Sequence, residues 1–345
     1  MSSPNLGPRL HIAHLSGDAP SFRGGVARDV QILRDGLLAR GHRVECFSPK
    51  VKMGDLKLGT IALGDFTQFD IVHVHGPTPF LSDIVRANPS IRRLVLTYHS
   101  DNEWLSHSVS RAYLSVHKLL HSRTQGIILE TNSYRQRYGS FEGRVAIIPP
   151  AGSMWQSEPS FQSRKNAQFT VIFVGQFRPY KGIPVLFEAA RQLPQIRFVV
   201  CGGGRLESTL MRSSRDLPNV EFRGPIAETD LRSEYVRSHV VLLPSVNNSE
   251  AYGVTLLEGA TVGAYPVASR LPGVSEHIDL LGGESFPVGK SRALASILQR
   301  LSEDHNLWAE RALRSMQRAA SYNETHDAPW YCDAHETFYR EVMGC

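Results

Sequence analysis

A strand-then-helix alternation runs twice along this chain of 345 residues, with one interruption between the runs. That rhythm leaves few folds open, because alternating β and α segments build parallel sheets covered by helices. In the first run, Leu10-His11-Ile12-Ala13-His14-Leu15 is apolar-rich and ends in a loop from Gly17 to Gly25. From Val26 to Arg40 the spacing predicts a helix, with Val30, Leu33, Leu37 and Leu38 on one face. Gly41-His42 stops it, and Arg43 to Phe47 is extended again. Ile71 to Val74, Leu94 to Tyr98, Gly126 to Leu129 and Val145 to Ile148 are further strands.

Pro149-Pro150-Ala151-Gly152 breaks the rhythm, and the polar stretch 153–168 after it reads as a linker. The pattern then restarts. Strands are expected at Thr170 to Val174, Arg197 to Cys201, Asn219 to Phe222, Val240 to Leu243 and Tyr265 to Ala268. Helices are expected at Ile183 to Gln192, at Gly253 to Thr261, and through most of the stretch from Ser291 to Met343. The chain is too long for one typical core. It reads as two α/β domains, 1–152 and 169–320, followed by a C-terminal helix in 321–345. Trp330, Tyr331 and Phe338 mark that helix for docking on the first domain rather than for a free tail. Ligands of open α/β sheets bind beyond the carboxyl ends of the strands, so a cleft between the domains is the expected site.

Composition removes several classes. The apolar fraction of 41% is ordinary for a globular protein. No run approaches the roughly 20 apolar residues of a membrane span. The N-terminus lacks a basic-then-apolar leader, so a cytoplasmic location is expected. Cys46, Cys201, Cys332 and Cys345 have no CxxC spacing and read as reduced thiols. Residues 1–150 hold 18 Lys+Arg against 12 Asp+Glu, while residues 151–345 hold 20 against 21. The basic half suits an anionic partner, such as a lipid phosphate or a peripheral contact with an anionic membrane, or serves solubility alone. No nucleic-acid partner is expected.

One segment carries the chemistry. In Ser249-Glu250-Ala251-Tyr252-Gly253-Val254-Thr255-Leu256-Leu257-Glu258-Gly259, two glutamates stand eight positions apart among small and apolar residues. Glu250 follows a strand, and Glu258 falls about 7 Å along the helix that opens near Gly253. Between them lies a helix N-terminus, whose N–H groups and dipole favour anions. A ligand with phosphate in the middle and hydroxyls at both ends matches that layout, and a nucleotide sugar is such a ligand. Gly202-Gly203-Gly204 fails the dinucleotide fingerprint, because Arg205-Leu206-Glu207 follows. His73 and His75 share a strand face, but the sequence places no third ligand, so no metal is expected.

The second half resembles the large retaining glycosyltransferase family 4, whose fold is two facing Rossmann-like domains (GT-B). Val174-Gly175-Gln176-Phe177-Arg178-Pro179-Tyr180-Lys181-Gly182 and Pro244-Ser245 through Glu250 to Leu257-Glu258-Gly259-Ala260 carry the resemblance. Gly263 to Ala268 and Leu271 to Glu276 continue it in order. Gly24-Gly25-Val26-Ala27, Asp70 to His75 and Thr97-Tyr98-His99-Ser100 extend it into the first half. The resemblance implies sugar transfer from a nucleoside diphosphate, with retention and without a bound metal or other cofactor. The acceptor is a glycan, a lipid-linked species or a small molecule. The donor base is UDP by preference, with GDP open.

The same resemblance implies roles. Glu258 takes the ribose hydroxyls, and Glu250 lies near the transferred sugar, stabilising charge in the transition state. Lys181 meets the diphosphate, where leaving-group charge builds. The family commonly has arginine directly after the glycine, where this chain has Gln176, so Arg178 is expected to supply the second cation. Gly25 lets backbone approach the phosphates, and the amides of Tyr252 and Gly253 meet them from the helix N-terminus. His99 hydrogen-bonds the donor sugar or orients the acceptor, and Asp101 and His75 stand on the acceptor side. The rivals are a GT-B nucleotide-sugar 2-epimerase or phosphorylase, and a catalytically impaired nucleotide-sugar-binding partner of another transferase. A nicotinamide oxidoreductase lacks its glycine fingerprint.

Overall fold

The computed structural model describes residues 8–17, 24–48, 51–53, 56–58, 64–78, 81–100, 123–138, 141–250 and 252–344. The chain divides into two compact units, Met1–Ala151 with His326–Cys345, and Gly152–Thr325.

Unit 1 is built on β1 (His11–Ser16), β2 (Arg43–Phe47), β5 (Ile71–Gly76), β6 (Leu94–Tyr98), β7 (Gly126–Leu129) and β8 (Arg144–Ile147). A small antiparallel pair, β3 (Val51–Met53) and β4 (Leu56–Leu58), is an addition the sequence pattern did not signal. The main sheet is parallel throughout, in the order β2-β1-β5-β6-β7-β8. Its helices are α1 (Gly25–Ala39), α2 (Leu81–Ala87), α3 (Asn132–Tyr138) and, from the far end of the chain, α11 (Ala328–Met343). Every residue of β5 is buried, histidines included. A parallel strand covered on both faces shows no polar alternation.

On α1 the buried stripe is Ala27, Val30, Leu33 and Leu37. Leu38, expected on that face, is 44% exposed. It lies one 100° step past Leu37, beyond the width of the buried stripe. Against this stripe packs α11, through Tyr331, Cys332, Phe338 and Tyr339. Asp327 caps it by accepting from the Trp330 amide, and Pro329 occupies the first turn.

Unit 2 carries β9 (Thr170–Val174), β10 (Arg197–Cys201), β11 (Val220–Gly224), β12 (Val240–Leu243), β13 (Tyr265–Ser269) and β14 (Glu284–Phe286). All are parallel, in the order β11-β10-β9-β12-β13-β14. Helices α4 (Ile183–Gln192), α5 (Glu207–Ser213), α6 (Glu228–Arg237), α7 (Val254–Thr261), α8 (Pro272–Leu281), α9 (Ser291–Glu303) and α10 (His305–Thr325) accompany them. One core gathers Phe173, Phe198, Leu298 and Trp308, and the other Val199, Val241, Leu256 and Ile278. Val199 and Val200, neighbours on β10, go to different cores, as the period of a strand requires. Residues 153–168, read from the sequence as a linker, lie within unit 2, and Phe161 is buried in its core.

Both sheets are doubly wound. The strand order reverses between β1 and β5 in unit 1 and between β9 and β12 in unit 2. Ligands of such sheets bind outside the carboxyl ends of the strands flanking the reversal.

Candidate active site

In unit 2 the loops leaving β9 and β12 meet at the reversal. The first ends in a tight turn, Pro179–Lys181, closed by Gly182 at φ 66°. Only glycine suits that position, because a Cβ there would also collide with the Pro244 carbonyl. The Val246 amide donates to the Tyr180 carbonyl at 2.8 Å and ties the loops together. Lys181 Nζ thereby comes 2.6 Å from Glu250 Oε2, which also accepts from Ser245 Oγ at 2.8 Å. The Lys181 and Glu250 side chains are only 12% and 10% exposed. Burial opposes the Lys181 ammonium, but the neighbouring Glu250 carboxylate outweighs it and holds the lysine above its ordinary pKa.

Four positions after Glu250, α7 begins. Gly253 precedes it at φ 77°, and a Cβ there would lie 2.6 Å from Leu243 Cδ2. The Tyr252 side chain turns into the core, stacked on His277 at 4.0 Å and donating to Tyr322 Oη at 3.1 Å. Only its main chain is placed to serve a ligand at the helix N-terminus. On the second turn Glu258 is half-buried and accepts from Tyr235 Oη at 3.2 Å. Burial, then the Glu258 charge, push that phenol well above its usual pKa, so it stays a donor. Arg178 is exposed, and its Nε donates to Gln176 Oε1 at 2.9 Å. The residue in the arginine's usual place therefore holds the neighbouring arginine.

In unit 1, His75 is the penultimate residue of β5, before Gly76, and His99 directly follows β6. His75 Nδ1 lies 3.2 Å from His99 Nε2, and His99 Nδ1 lies 2.6 Å from Glu130 Oε1. Both His99 ring nitrogens thus have protein partners. A direct hydrogen bond from the ring to a sugar, as the sequence suggested, requires one of these links to open. Gly25 opens α1 with nothing among the described residues within 4 Å of an added Cβ, so their packing does not demand glycine there. Asp101 lies outside the described residues.

Two described groups bring metal-type ligands within 4.8 Å of one another: His14, His73 and His75, and Asp29, His99 and Glu130. In the first group the nitrogens of His73 are taken by Tyr339 Oη and Thr97 Oγ1, at 2.6 and 2.7 Å. Those of His75 are taken by His14 and His99. His73 and His75 thus sit in a hydrogen-bonded array.

Sequence reasoning missed Ser245, Tyr235, His14, Asp29 and Glu130. Glu130 had a signal, since it follows the carboxyl end of β7 as His99 follows that of β6. Tyr235 and Asp29 had none, because each sits within a helix rather than at a strand end or in a motif.

The family model described as glycosyl transferases group 1 matches residues 156–322, and that described as glycosyltransferase family 4 matches residues 57–151. The O-antigen chain mannosyltransferase C of Escherichia coli is 26% identical over 94% of this chain and 96% of its own length. The D-rhamnosyltransferase WbpZ of Pseudomonas aeruginosa is 27% identical over 70% of this chain and 68% of its own. Among solved structures, a sucrose-phosphate synthase from Thermosynechococcus elongatus superposes with a TM-score of 0.79 at 19% identity, covering 97% of this chain and 99% of that one. The Anabaena protein HepE in complex with UDP gives 0.74 at 18%, covering 96% and 100%. Two Rossmann-like domains, each matched by a glycosyltransferase model, define a glycosyltransferase of the GT-B fold. Within that class the chain belongs to glycosyltransferase family 4. Among the described residues no helix is long and apolar enough to cross a membrane.

Proposed function

We propose that this chain moves a sugar from a nucleoside diphosphate to a hydroxyl acceptor with retention, in the synthesis of a surface polysaccharide or glycolipid. The observation that carries the reading is the buried Lys181–Glu250 pair at the reversal of the second sheet, beside the N-terminus of α7. A diphosphate is the ligand for which an ammonium and outward helix amides are jointly suited. Lys181 and those amides supply the positive field, so the reading needs no metal. Glu258 holds the ribose hydroxyls, steadied by Tyr235, and Arg178 supplies a second cation. Glu250 faces the transferred sugar, and His99 serves catalysis from the acceptor side with His75 and Asp101.

In the reaction the bond from the anomeric carbon to the β-phosphate oxygen breaks as positive charge grows on the ring. The acceptor oxygen bonds the same face, and its proton passes to the departing phosphate. No covalent glycosyl-enzyme is required, and Glu250 acts as a charge stabiliser rather than a nucleophile. Both relatives named above move sugars of the manno series, D-rhamnose being 6-deoxymannose, which supports a manno-configured donor. UDP remains the favoured base and GDP the alternative. The surplus of basic residues before position 150 fits an acceptor carrying lipid phosphate, met at a membrane surface.

A thermal-shift panel of nucleoside diphosphates and nucleotide sugars, run with chelator on wild type and Glu258→Ala, tests the donor half. A ligand that binds the folded state raises the melting temperature by mass action. One base should stand out and lose its effect in the variant. Silence from every nucleotide at millimolar concentration overturns the reading, whereas a shift without sugar transfer or donor hydrolysis leaves the impaired-partner alternative. Sugar isomerisation without acceptor would point to the epimerase.

A further inference from the structure

Four buried side chains, in or directly after four neighbouring strands of unit 1, form an unbroken row. His14 Nδ1 lies 3.0 Å from His75 Nε2, His75 Nδ1 lies 3.2 Å from His99 Nε2, and His99 Nδ1 lies 2.6 Å from Glu130 Oε1. His14 stands in β1 and His75 in β5, while His99 follows β6 and Glu130 follows β7. The row starts at the reversal of the strand order and climbs the carboxyl edge of the sheet. His99, at its third place, lines a small cavity of about 80 Å³ with Ser16, Val26, Gly76 and Thr78. That volume suits a few waters or one hydroxyl group rather than a whole sugar.

The two ends of the row fix its protons. His14 Nε2 is buried and has no partner among the described residues. A buried orphan N–H is rarer and costlier than a bare lone pair, so the His14 proton belongs on Nδ1. His75 Nε2 then accepts, which puts the His75 proton on Nδ1. His99 Nε2 accepts in turn, and His99 donates from Nδ1 to the Glu130 carboxylate. Charging His99 changes all of this. A second proton on Nε2 makes His75 accept at Nδ1 and donate from Nε2, and leaves His14 with an orphan N–H. The charge of His99 and the tautomers of two rings behind it therefore move together.

We propose that Glu130 is a positioning residue that acts through His99, orienting its ring and setting the tautomers of His75 and His14, so that the row behaves as one proton-coupled unit. The groups facing His99 are Asp29 of α1, Glu130 beyond β7, His73 and His75 of β5 and His335 of α11, while His14 of β1 reaches it only through His75 and Arg28 acts on Asp29. Burial opposes the charged form of His99, but Glu130 and then Asp29 outweigh it and raise its pKa. The imidazoles behind it are lowered, chiefly by burial, to about 3 at His14 and well below the ordinary value at His75. The added proton thus resides on His99, and Glu130 holds it there. The consequence for turnover rests on the catalytic reading of His99 given above.

The test uses the full chain with ¹⁵N-labelled histidine. In wild type His14 and His75 should show the Nδ1–H tautomer above the His99 midpoint and change when His99 titrates. Glu130→Gln should lower that midpoint by about 1–3 pH units, the span expected on losing an adjacent opposite charge. The pH limb of kcat should move with it while donor KM changes less than about twofold, and Glu130→Asp should restore part of the shift. Should Glu130→Gln fail to fold, His75→Gln breaks the row in the middle and should uncouple His14 from His99. Signals of His14 that ignore the His99 titration in wild type overturn the row. A His99 midpoint that stays put in Glu130→Gln overturns the role of Glu130. A moved midpoint with an unmoved kcat profile upholds the row and removes His99 from catalysis.

Discussion

At the reversal of the second sheet, between β9 and β12, an ammonium meets a carboxylate; at that of the first, between β1 and β5, two neutral imidazoles meet. The topologies are close relatives, so the difference lies in the side chains set on them. An ion pair at low exposure is held by mutual attraction and responds to a new anion by exchanging partners. Lys181 can trade Glu250 for phosphate without being left uncompensated. A row of imidazoles carries no fixed charge and responds to a proton. The contrast assigns charge neutralisation to unit 2 and proton handling to unit 1, and each half of that division can be broken separately.

The largest effect should come from Lys181→Ala. Removing a cation that meets leaving-group charge lowers kcat by about 10³-fold. It also strands Glu250 with Ser245 alone, and breaking a buried pair from one side costs about 3–5 kcal/mol of stability. The double variant Lys181→Met with Glu250→Gln should regain most of the stability and none of the turnover. If Lys181→Ala keeps kcat within tenfold of wild type, the ion pair is structural and the contrast fails.

Two glycines sharpen it next. Gly182 sits at φ 66° against the Pro244 carbonyl, whereas none of the described residues crowds Gly25. Gly182→Ala should lower stability by about 2–4 kcal/mol and donor binding with it, because backbone must move. Gly25→Ala should leave the melting temperature within error and still reduce transfer by about tenfold, if backbone approaches phosphate there. Unchanged activity in Gly25→Ala would return that glycine to an ordinary turn.

Acid should separate the units more gently. In unit 1, burial lowers His14 to about 3 and His335 to about 4, and puts His73 and His75 well below the ordinary value. In unit 2 it lowers His239 to about 3 and His277 to about 4. For each, the unfolded chain takes up a proton near pH 6.5 that the folded chain refuses, so stability is lost as pH falls below that point. Asp29, raised to about 7 by burial, works in the opposite sense, since its folded form gains the proton first. The His99 contribution, raised in the folded state, is already full below pH 6.5. Among the described residues, four groups less one remain in unit 1 against two in unit 2. Unit 1 should lose about 1.4 kcal/mol more per pH unit between about pH 6.5 and 5. Hydrogen exchange resolved by segment would read this, and equal slopes would refute it.

Much of this was legible in the chain. The restarted alternation gave both sheets, because buried parallel strands and amphipathic helices leave strong periodic marks. The loops bearing Lys181 and Glu250 were legible through their motifs, while the bond between them was not, since it joins positions 69 apart. Leu38 was misplaced because periodicity fixes the face of a helix but not the width of its buried stripe. The imidazole row was invisible for a different reason. His14, His75, His99 and Glu130 come from four separate segments, and only the order of the strands makes them neighbours.

The smallest expected effect concerns Gln176, where the family's arginine is missing. Its Oε1 accepts from Arg178 Nε and so ties an exposed cation that caps the turn carrying Lys181. A neutral acceptor can orient Arg178 while leaving most of its charge for a ligand. Gln176→Ala should loosen the arginine and weaken donor binding by about two- to fivefold, the worth of one partly exposed hydrogen bond. Gln176→Glu keeps the geometry but supplies a competing charge, so it should weaken binding more than alanine does, and less so at high salt. The order of those two variants, measured by titration with the nucleotide, decides whether Gln176 steers Arg178 or merely neighbours it. If glutamate binds as well as wild type, Arg178 does not meet the phosphates, and Lys181 is left as the cation that defines the charged half of the comparison.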